Sequence, residues 1–310
     1  MNFKGDFAET TKREVLKSLG SVFDPLGVAS PTVLVGKRIC REACASVSLE
    51  MQYCQTNWTN SGTSLPDEVK IPRSLAPAKK LVQGIDLHVF GDTSGTRTAA
   101  AVYAVVHQYS STSQGLVTVK ARLAKKGLTI PRLELVSINV AANLVNSVRN
   151  ALEGCAVRSV YGWTDSMVAL YWMAGKGNYK QFVANKVKQI KAKIYIRWGH
   201  VSSGQNTADL GSRGNQSKEL PELWLKGPDW LSKPEMWPAS LQIGPSKETG
   251  AEAKLVKEVV SVAVETGQPP PSPAETWLLE DHSYHIMGSK VSSQLFVKQS
   301  QPPVWTPHHG

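Results

Sequence analysis

No apolar run in this chain approaches the roughly 20 residues that a membrane helix needs. The charged N-terminus, with Lys4, Asp6 and Glu9, does not read as a secretory leader. The expectation is an intracellular protein, cytoplasmic or nuclear, without a membrane partner. Cysteine is scarce: Cys40, Cys44, Cys54 and Cys155 are the 4 in 310 residues, and none forms a Cys-x-x-Cys pair, which excludes a zinc ribbon. Cys40 and Cys44 are spaced as two positions one helical turn apart. No Tyr-x-Asp-Asp occurs, so this stretch carries no polymerase centre. Neither Asp-Thr-Gly nor Asp-Ser-Gly occurs. Asp92-Thr93-Ser94-Gly95 has one residue too many for the loop in which two peptidase aspartates share a proton. Acid is missing from one long interval as well. Between Asp165 and Asp209 there is no Asp or Glu, while Lys176, Lys180, Lys186, Lys188, Lys191, Lys193 and Arg197 all fall there.

What is present is a basic chain, net +10, with 41% apolar residues, enough for a real core. Four acids stand where α/β elements change. Ile85–Phe90 reads as a strand, and Asp92 follows it in what reads as the turn Gly91–Gly95. Pro131 suits the first turn of a helix. From there Leu135, Ile138, Ala142, Val145, Val148 and Leu152 recur at helical spacing and place Glu134 near the helix start. Asp165 lies between the strand-like Ser159–Thr164 and a helix from Ser166 to Trp172. Asp209 follows a strand over Ile194–Trp198 and a polar loop, and opens a last helix. A lone Asp at such a place is commonly a turn former, and Asp165 and Asp209 can each cap a helix. Four acids threaded through one α/β pattern point instead to a shared site at the strand ends. Crowded carboxylates repel unless a cation neutralises them, and hard oxygen donors suit two Mg²⁺ or Mn²⁺ ions acting on a phosphodiester.

From Lys12 to about Pro238 the chain resembles the ribonuclease H region, with its preceding connection segment, of the polyprotein of Pao/BEL-type LTR retrotransposons. The matching stretches are Phe23-Asp24-Pro25-Leu26-Gly27, His88–Asp92, Ile130–Leu135, Trp163–Ser166, Phe182–Val187, Asn206–Gly214 and Trp224–Leu231. The resemblance implies an α/β, ribonuclease H-like mixed five-stranded sheet flanked by helices, and cleavage of the RNA strand of an RNA–DNA hybrid during reverse transcription. It implies that Asp92, Glu134, Asp165 and Asp209 hold the metal and that His200 assists proton transfer or product release. It also implies a reverse transcriptase domain as partner in the parent polyprotein. Thr207 stands where the family usually has proline. The Trp-containing helix expected between Val69 and Ile71 is almost absent, so the connection segment is eroded. Members of the family are also labelled retrotransposon peptidases. An aspartic peptidase and a catalytically silent nucleic-acid-binding remnant are the two competing functions.

The lysine-rich interval supports two readings. Lys186, Lys188, Lys191 and Lys193 fit the solvated face of a helix whose other face, Phe182, Val183, Val187, Ile190 and Ile194, is core. They also fit, with Lys180, Arg197 and Asn206, a nucleic-acid contact beside an anionic metal site. Trp172, Tyr179, Tyr195 and Trp198 are interleaved; Trp172 and Trp198 read as core. Three regions are expected: 1–80, a helical connection segment with helices near Lys12–Leu19 and Leu34–Gln52; 81–238, the ribonuclease H-like domain; and 239–310, a mostly disordered low-complexity tail interrupted by Gln268–Pro273, with one amphipathic helix possible in composition over Ala251–Glu265. That tail has no cysteine, so it lacks the combined His and Cys ligand set that opens an integrase.

Overall fold

The structure, a computed structural model, describes residues 17, 19–45, 74–76, 82–175, 177–214 and 219–254. A helix, α1 (Ser30–Ala45), precedes three long strands, β1 (Val82–Ser94), β2 (Arg97–Gln108) and β3 (Thr112–Leu123). Helix α2 (Ile130–Ala151) then leads to β4 (Val157–Thr164), and α3 (Met167–Ala174) and α4 (Gln181–Lys191) lead to β5 (Ile196–His200). The short helices α5 (Ala208–Arg213), α6 (Glu222–Lys226) and α7 (Lys247–Ala251) follow. The five strands are ordered β3-β2-β1-β4-β5. The first three form an antiparallel meander, while β1, β4 and β5 run parallel. The mixed, helix-flanked sheet implied by the resemblance is therefore present.

Strand β1 is central, and its period of two sends alternate residues to two buried faces. Leu87 and Val89 point to the face covered by Val140, Ala141, Val145 and Val148 of α2. His88 and Phe90 point to the opposite face. Helix α2 starts with proline in its first turn, where a missing N–H costs nothing, and its apolar stripe follows the expected spacing. It crosses β1 at Gly91, where an added Cβ would lie 3.2 Å from the Ser137 carbonyl oxygen. Leu135 and Ile138 continue the stripe onto Trp172 of α3 and onto Val183, Val187 and Ile190 of α4. Burying each such side chain contributes roughly 1.5–3 kcal/mol.

Several boundaries differ from the sequence expectation. Strand β1 runs past Asp92 to Ser94, because Asp92 pairs with Ala99 and Ser94 with Arg97 across the hairpin; the turn is at Gly95 and Thr96. Asp92 is thus in a strand. Strand β5 begins at Ile196 and ends at His200, and Ile194, expected in the core, is 91% exposed in the turn before it. The cap of α3 is Ser166, whose hydroxyl accepts from the Ala169 N–H at 3.1 Å, and Thr207 precedes α5; neither Asp165 nor Asp209 is a cap.

The segment before β1 belongs to the same core as the sheet. Val33, Val35 and Ile39 of α1 pack with Phe90, Tyr103, Leu116, Trp163 and Trp224. The turn Phe23–Gly27 seats this helix. The Asp24 carboxylate accepts from the N–H groups of Val28 and Ala29, each at 2.8 Å. The Leu26 carbonyl accepts from the Val119 N–H of β3 at 2.7 Å. Gly27 has φ +76°, and a Cβ there would lie 2.3 Å from the Val119 carbonyl oxygen. Gly27→Ala is therefore expected to cost about 2–4 kcal/mol, from left-handed strain plus a backbone clash. Urea denaturation of the full chain measures it; an unchanged midpoint would mean that the turn does not dock on β3.

At the other end, residues 239–254, the start of the stretch expected to be a tail, fold back as a strap. Ser246 and Thr249 form a capping box around the single turn of α7. The indole N–H of Trp172 donates to the Thr249 carbonyl at 3.4 Å. Ala253 bridges to Tyr179, and the N–H of Lys254 donates to the Asn178 carbonyl at 2.8 Å. The helices expected over Lys12–Leu19 and Ala251–Glu265, the second half of Leu34–Gln52, and the eroded stretch near Val69 lie wholly or largely outside the described residues. No helix among the described residues is long and apolar enough to cross a membrane.

Candidate active site

Because β1, β4 and β5 are parallel, their C-terminal ends lie at one end of the sheet, and three of the predicted site residues gather there. Asp92 sits near the end of β1, Asp165 follows β4 directly, and His200 is the last residue of β5, paired in register with Thr164. Helix α2 brings Glu134 in from above the sheet, and α5, packed on β1 and β2, brings Asp209.

Hydroxyl groups hold three of the four carboxylates. Ser212, one helical turn beyond Asp209, donates to Asp92 Oδ2. Ser166 donates to Glu134 Oε2 at 2.5 Å, and Ser203 to Asp165 Oδ2 at 2.7 Å. Asp209 is held by the Arg213 guanidinium, whose Nε donates to its Oδ1 at 2.5 Å. The three serines were not read from the sequence as site residues. A Ser–Asp contact across 120 positions leaves no local signature, whereas Asp209 and Arg213 show the i,i+4 spacing of a helical ion pair.

The acids act on one another. Asp92 is 7% exposed, and burial pushes its carboxyl up to about 6; the Ser212 hydroxyl opposes this, while Asp165 and Asp209 add to it. Burial also raises Glu134, against the Ser166 hydrogen bond and with help from Asp165. Such mutual repulsion is what a cation relieves. Among the described residues no three of His, Cys, Asp and Glu close around one metal-sized point, since each carboxylate is turned to its own hydroxyl or guanidinium partner. The donor set nevertheless fits a hard divalent ion: four carboxylates, two of them with a raised proton affinity that a cation would offset.

Asn206, expected to touch nucleic acid, is an internal brace. It is 3% exposed, and its Nδ2 donates to the Gly91 carbonyl at 3.3 Å and to Asp165 Oδ1 at 3.2 Å, while its Oδ1 accepts from the Ala208 N–H at 3.3 Å. It ties β1, β4 and α5 together and has no amide group left for a ligand. His88, inside the motif that ends at Asp92, is also structural. Burial, with His107 adding to it, lowers its pKa to about 3, and its Nδ1 accepts from the Trp163 indole at 3.2 Å.

The basic residues lie on and around α4. Helix α4 buries Val183, Val187 and Ile190 and turns its lysines outward, the amphipathic arrangement. Several lysines already have partners: Lys186 Nζ meets Gln189 Oε1 at 3.2 Å, Lys191 Nζ donates to the Gly175 carbonyl at 3.0 Å, and Lys193 Nζ to the Gln189 carbonyl at 3.1 Å. Lys180 Nζ donates to the Ala251 carbonyl at 2.8 Å. Lys188 is exposed, and the exposed Arg197 lies with its guanidinium 5.8 Å from the centre of the Tyr161 ring. Lys176 lies outside the described residues. None of these cations shares an ion pair with the four acids among the described residues; Arg213 alone does so. Trp172 is fully buried, as expected, and Trp198 is half-buried.

Residues 11–166, half of the chain, match the family described as Pao retrotransposon-like RNaseH-like domain. No curated protein matches. Among solved structures, an N-terminal RNase H domain from Mycobacterium tuberculosis, solved as a fusion with maltose binding protein, is 17% identical with a TM-score of 0.29, covering 42% of this chain and 90% of that one. An RNase H1 solved in complex with an RNA/DNA hybrid is 15% identical with a TM-score of 0.29, covering 40% and 91%. A foamy viral protease-reverse transcriptase in complex with double-stranded DNA is 7% identical with a TM-score of 0.36, covering 65% and 34%.

Proposed function

Because the chain belongs to the Pao retrotransposon-like RNaseH-like domain family, we propose that it hydrolyses the RNA strand of RNA–DNA hybrids in a reaction that depends on Mg²⁺ or Mn²⁺. One observation carries this reading: four acids from separate parts of the chain are brought to one end of the sheet, where burial raises Asp92 and Asp165 and Asp209 add to the rise. Asp92, Glu134, Asp165 and Asp209 would hold two ions. Bound there, the metal supplies an activated water and neutralises charge on the phosphodiester.

The rest of the work falls to the chain's own groups. Ser212, Ser166 and Ser203 orient three carboxylates, and Asn206 fixes the loop before α5 to the ends of β1 and β4. His200, at the end of β5, would move a proton or help the product leave. The exposed cations Lys188 and Arg197, with Lys180, Lys186, Lys191 and Lys193, supply a positive surface for a polyanion. A reverse transcriptase domain in a parent polyprotein would present the hybrid.

A second reading, hybrid binding without cleavage, is favoured by the Arg213 guanidinium, which sits on Asp209 and competes with a cation for it. The aspartic-peptidase reading has no such support, because Asp92 lies within a strand and outside any tight loop. The deciding assay incubates the full chain with a labelled RNA–DNA hybrid in Mg²⁺, Mn²⁺ or EDTA, with double-stranded RNA and double-stranded DNA as controls. Metal-dependent cutting confined to the RNA strand of the hybrid is expected. Folded protein that binds the hybrid and cuts nothing would establish the silent reading.

A further inference from the structure

The strap that follows Ser246 carries a carboxylate to the basic side of the domain. Glu252, 8% exposed as a residue, receives both arms of the Arg132 fork: Nε at 2.7 Å on Oε1 and a terminal nitrogen at 2.9 Å on Oε2. Its neighbour Ala251 offers its carbonyl to Lys180 Nζ at 2.8 Å, and the Glu252 carbonyl accepts from the Lys180 N–H at 2.8 Å. Two cations far apart in sequence, Arg132 in the first turn of α2 and Lys180 just before α4, are thus engaged by two consecutive residues of one short segment.

A guanidinium fork that grips a carboxylate through two parallel bonds grips a phosphate in the same way. Arg132 precedes Glu134 by two residues in the first turn of α2, so the two side chains leave the helix on different sides. Its guanidinium also lies 5.3 Å from the centre of the Phe182 ring, a contact that keeps the fork oriented when the carboxylate leaves. From Ser166 to Ala208 the chain has no acid, so Glu252 brings negative charge to a stretch that has none of its own. The holding element is short: α7 is one turn of five residues, and Gly250 within it has nothing within 4 Å of where a Cβ would be.

We propose that Arg132 and Lys180 form an edge that binds the phosphate backbone of a nucleic acid, and that Glu252, with the Ala251 carbonyl, occupies this edge as a phosphate mimic that the substrate must displace. The strap is then an internal competitor that sets the affinity of the domain. This rests on the nucleic-acid reading of the preceding subsection.

The test measures binding of a labelled RNA–DNA hybrid to the full chain in EDTA, over a series of salt concentrations, for the wild type, Glu252→Gln and Glu252→Gln with Arg132→Ala. Glu252→Gln is expected to bind about threefold to tenfold more tightly, because a charge-assisted fork is released. Its plot of log affinity against log salt should be steeper by about one, the contribution of one further phosphate contact. The double variant should lose both gains. Glu252→Asp, which keeps the charge but shortens the reach, should move in the same direction by less, and it serves in place of Glu252→Gln if that variant does not fold. Wild-type affinity and slope in Glu252→Gln, or a gain that survives removal of Arg132, would overturn the proposal and leave the pair as a structural clasp. Adding Mg²⁺ to the same samples scores cleavage separately, so a failure of the nuclease reading and a failure of the strap reading are told apart.

Discussion

Asp92→Asn is expected to abolish strand cleavage, by about three orders of magnitude or more, and to raise the stability of the fold at neutral pH. The loss follows from the position of Asp92, the buried member of the four acids and the one raised by two of the others. An amide cannot replace an ionised oxygen toward a divalent cation, and three orders of magnitude correspond to about 4 kcal/mol of barrier. The gain in stability follows from the same burial. The folded protein holds the Asp92 proton up to about pH 6, whereas an unfolded chain releases it near 3.8. A carboxyl raised in this way opposes folding once ionised. The penalty is absent below about pH 4, grows between pH 4 and 6, and is complete above, reaching at most about 3 kcal/mol. Asn has no such penalty, and its Oδ1 can still accept from Ser212. Melting curves in EDTA should therefore show Asp92→Asn several degrees above the wild type at pH 8, with the two converging toward pH 4. A variant that cuts at the wild-type rate removes Asp92 from the site; equal melting at both pH values removes the raised carboxyl.

Trp224→Ala is expected to cost about 3–5 kcal/mol, the range for truncating a large buried aromatic. Trp224 is 1% exposed and joins three parts of the chain. Its indole N–H donates to the Val28 carbonyl at 2.9 Å, its own carbonyl accepts from the buried Tyr103 hydroxyl at 2.8 Å, and its ring lies 3.2 Å from where a Cβ on Gly211 would stand. Alanine would open a cavity beneath α5 and leave the Val28 carbonyl without its donor. Against a typical total of 5–15 kcal/mol, that loss unfolds a large share of the molecules at physiological temperature. Trp224→Phe, which keeps most of the ring and loses the N–H, should fall about 1–2 kcal/mol short of the wild type, separating the cavity from the hydrogen bond. Chemical denaturation of both variants measures this; a Trp224→Ala midpoint near that of the wild type would show that the indole is not a joint of the core.

Glu134, Asp165 and Asp209 were legible because each sits close to the start of a helical pattern, and Asp92 because it closes a run with a period of two; such patterns are local in the sequence. Strand β1 was read too short because Asp92, Thr93 and Ser94 look like turn residues; pairing with Arg97, Thr98 and Ala99 holds them in the ladder, a tertiary effect. Ile194 was assigned to the core from helical spacing, but α4 ends at Lys191 and the spacing ceases to apply. The serines that hold Asp92, Glu134 and Asp165 act across 32 to 120 positions, and the Arg132–Glu252 pair across 120, separations at which single residue types carry no pattern. Asn206 was placed by motif in the right loop and given an outward task; its buried amide is spent on Gly91 and Asp165.

The turn at Phe23–Gly27 has a consequence for how the protein can be handled and how it can fail. Strand β3 is one of the two edge strands of the sheet, twelve residues long, and a bare strand of that length is a template for pairing with another molecule. The Leu26 carbonyl, bonded to the Val119 N–H, shuts part of that template from within the chain. Excising residues 1–80 to isolate the sheet would remove this guard together with Val33, Val35 and Ile39, uncovering a ladder edge and an apolar face at once. Such a fragment has two reasons to self-associate, and its silence in an assay would report aggregation rather than chemistry.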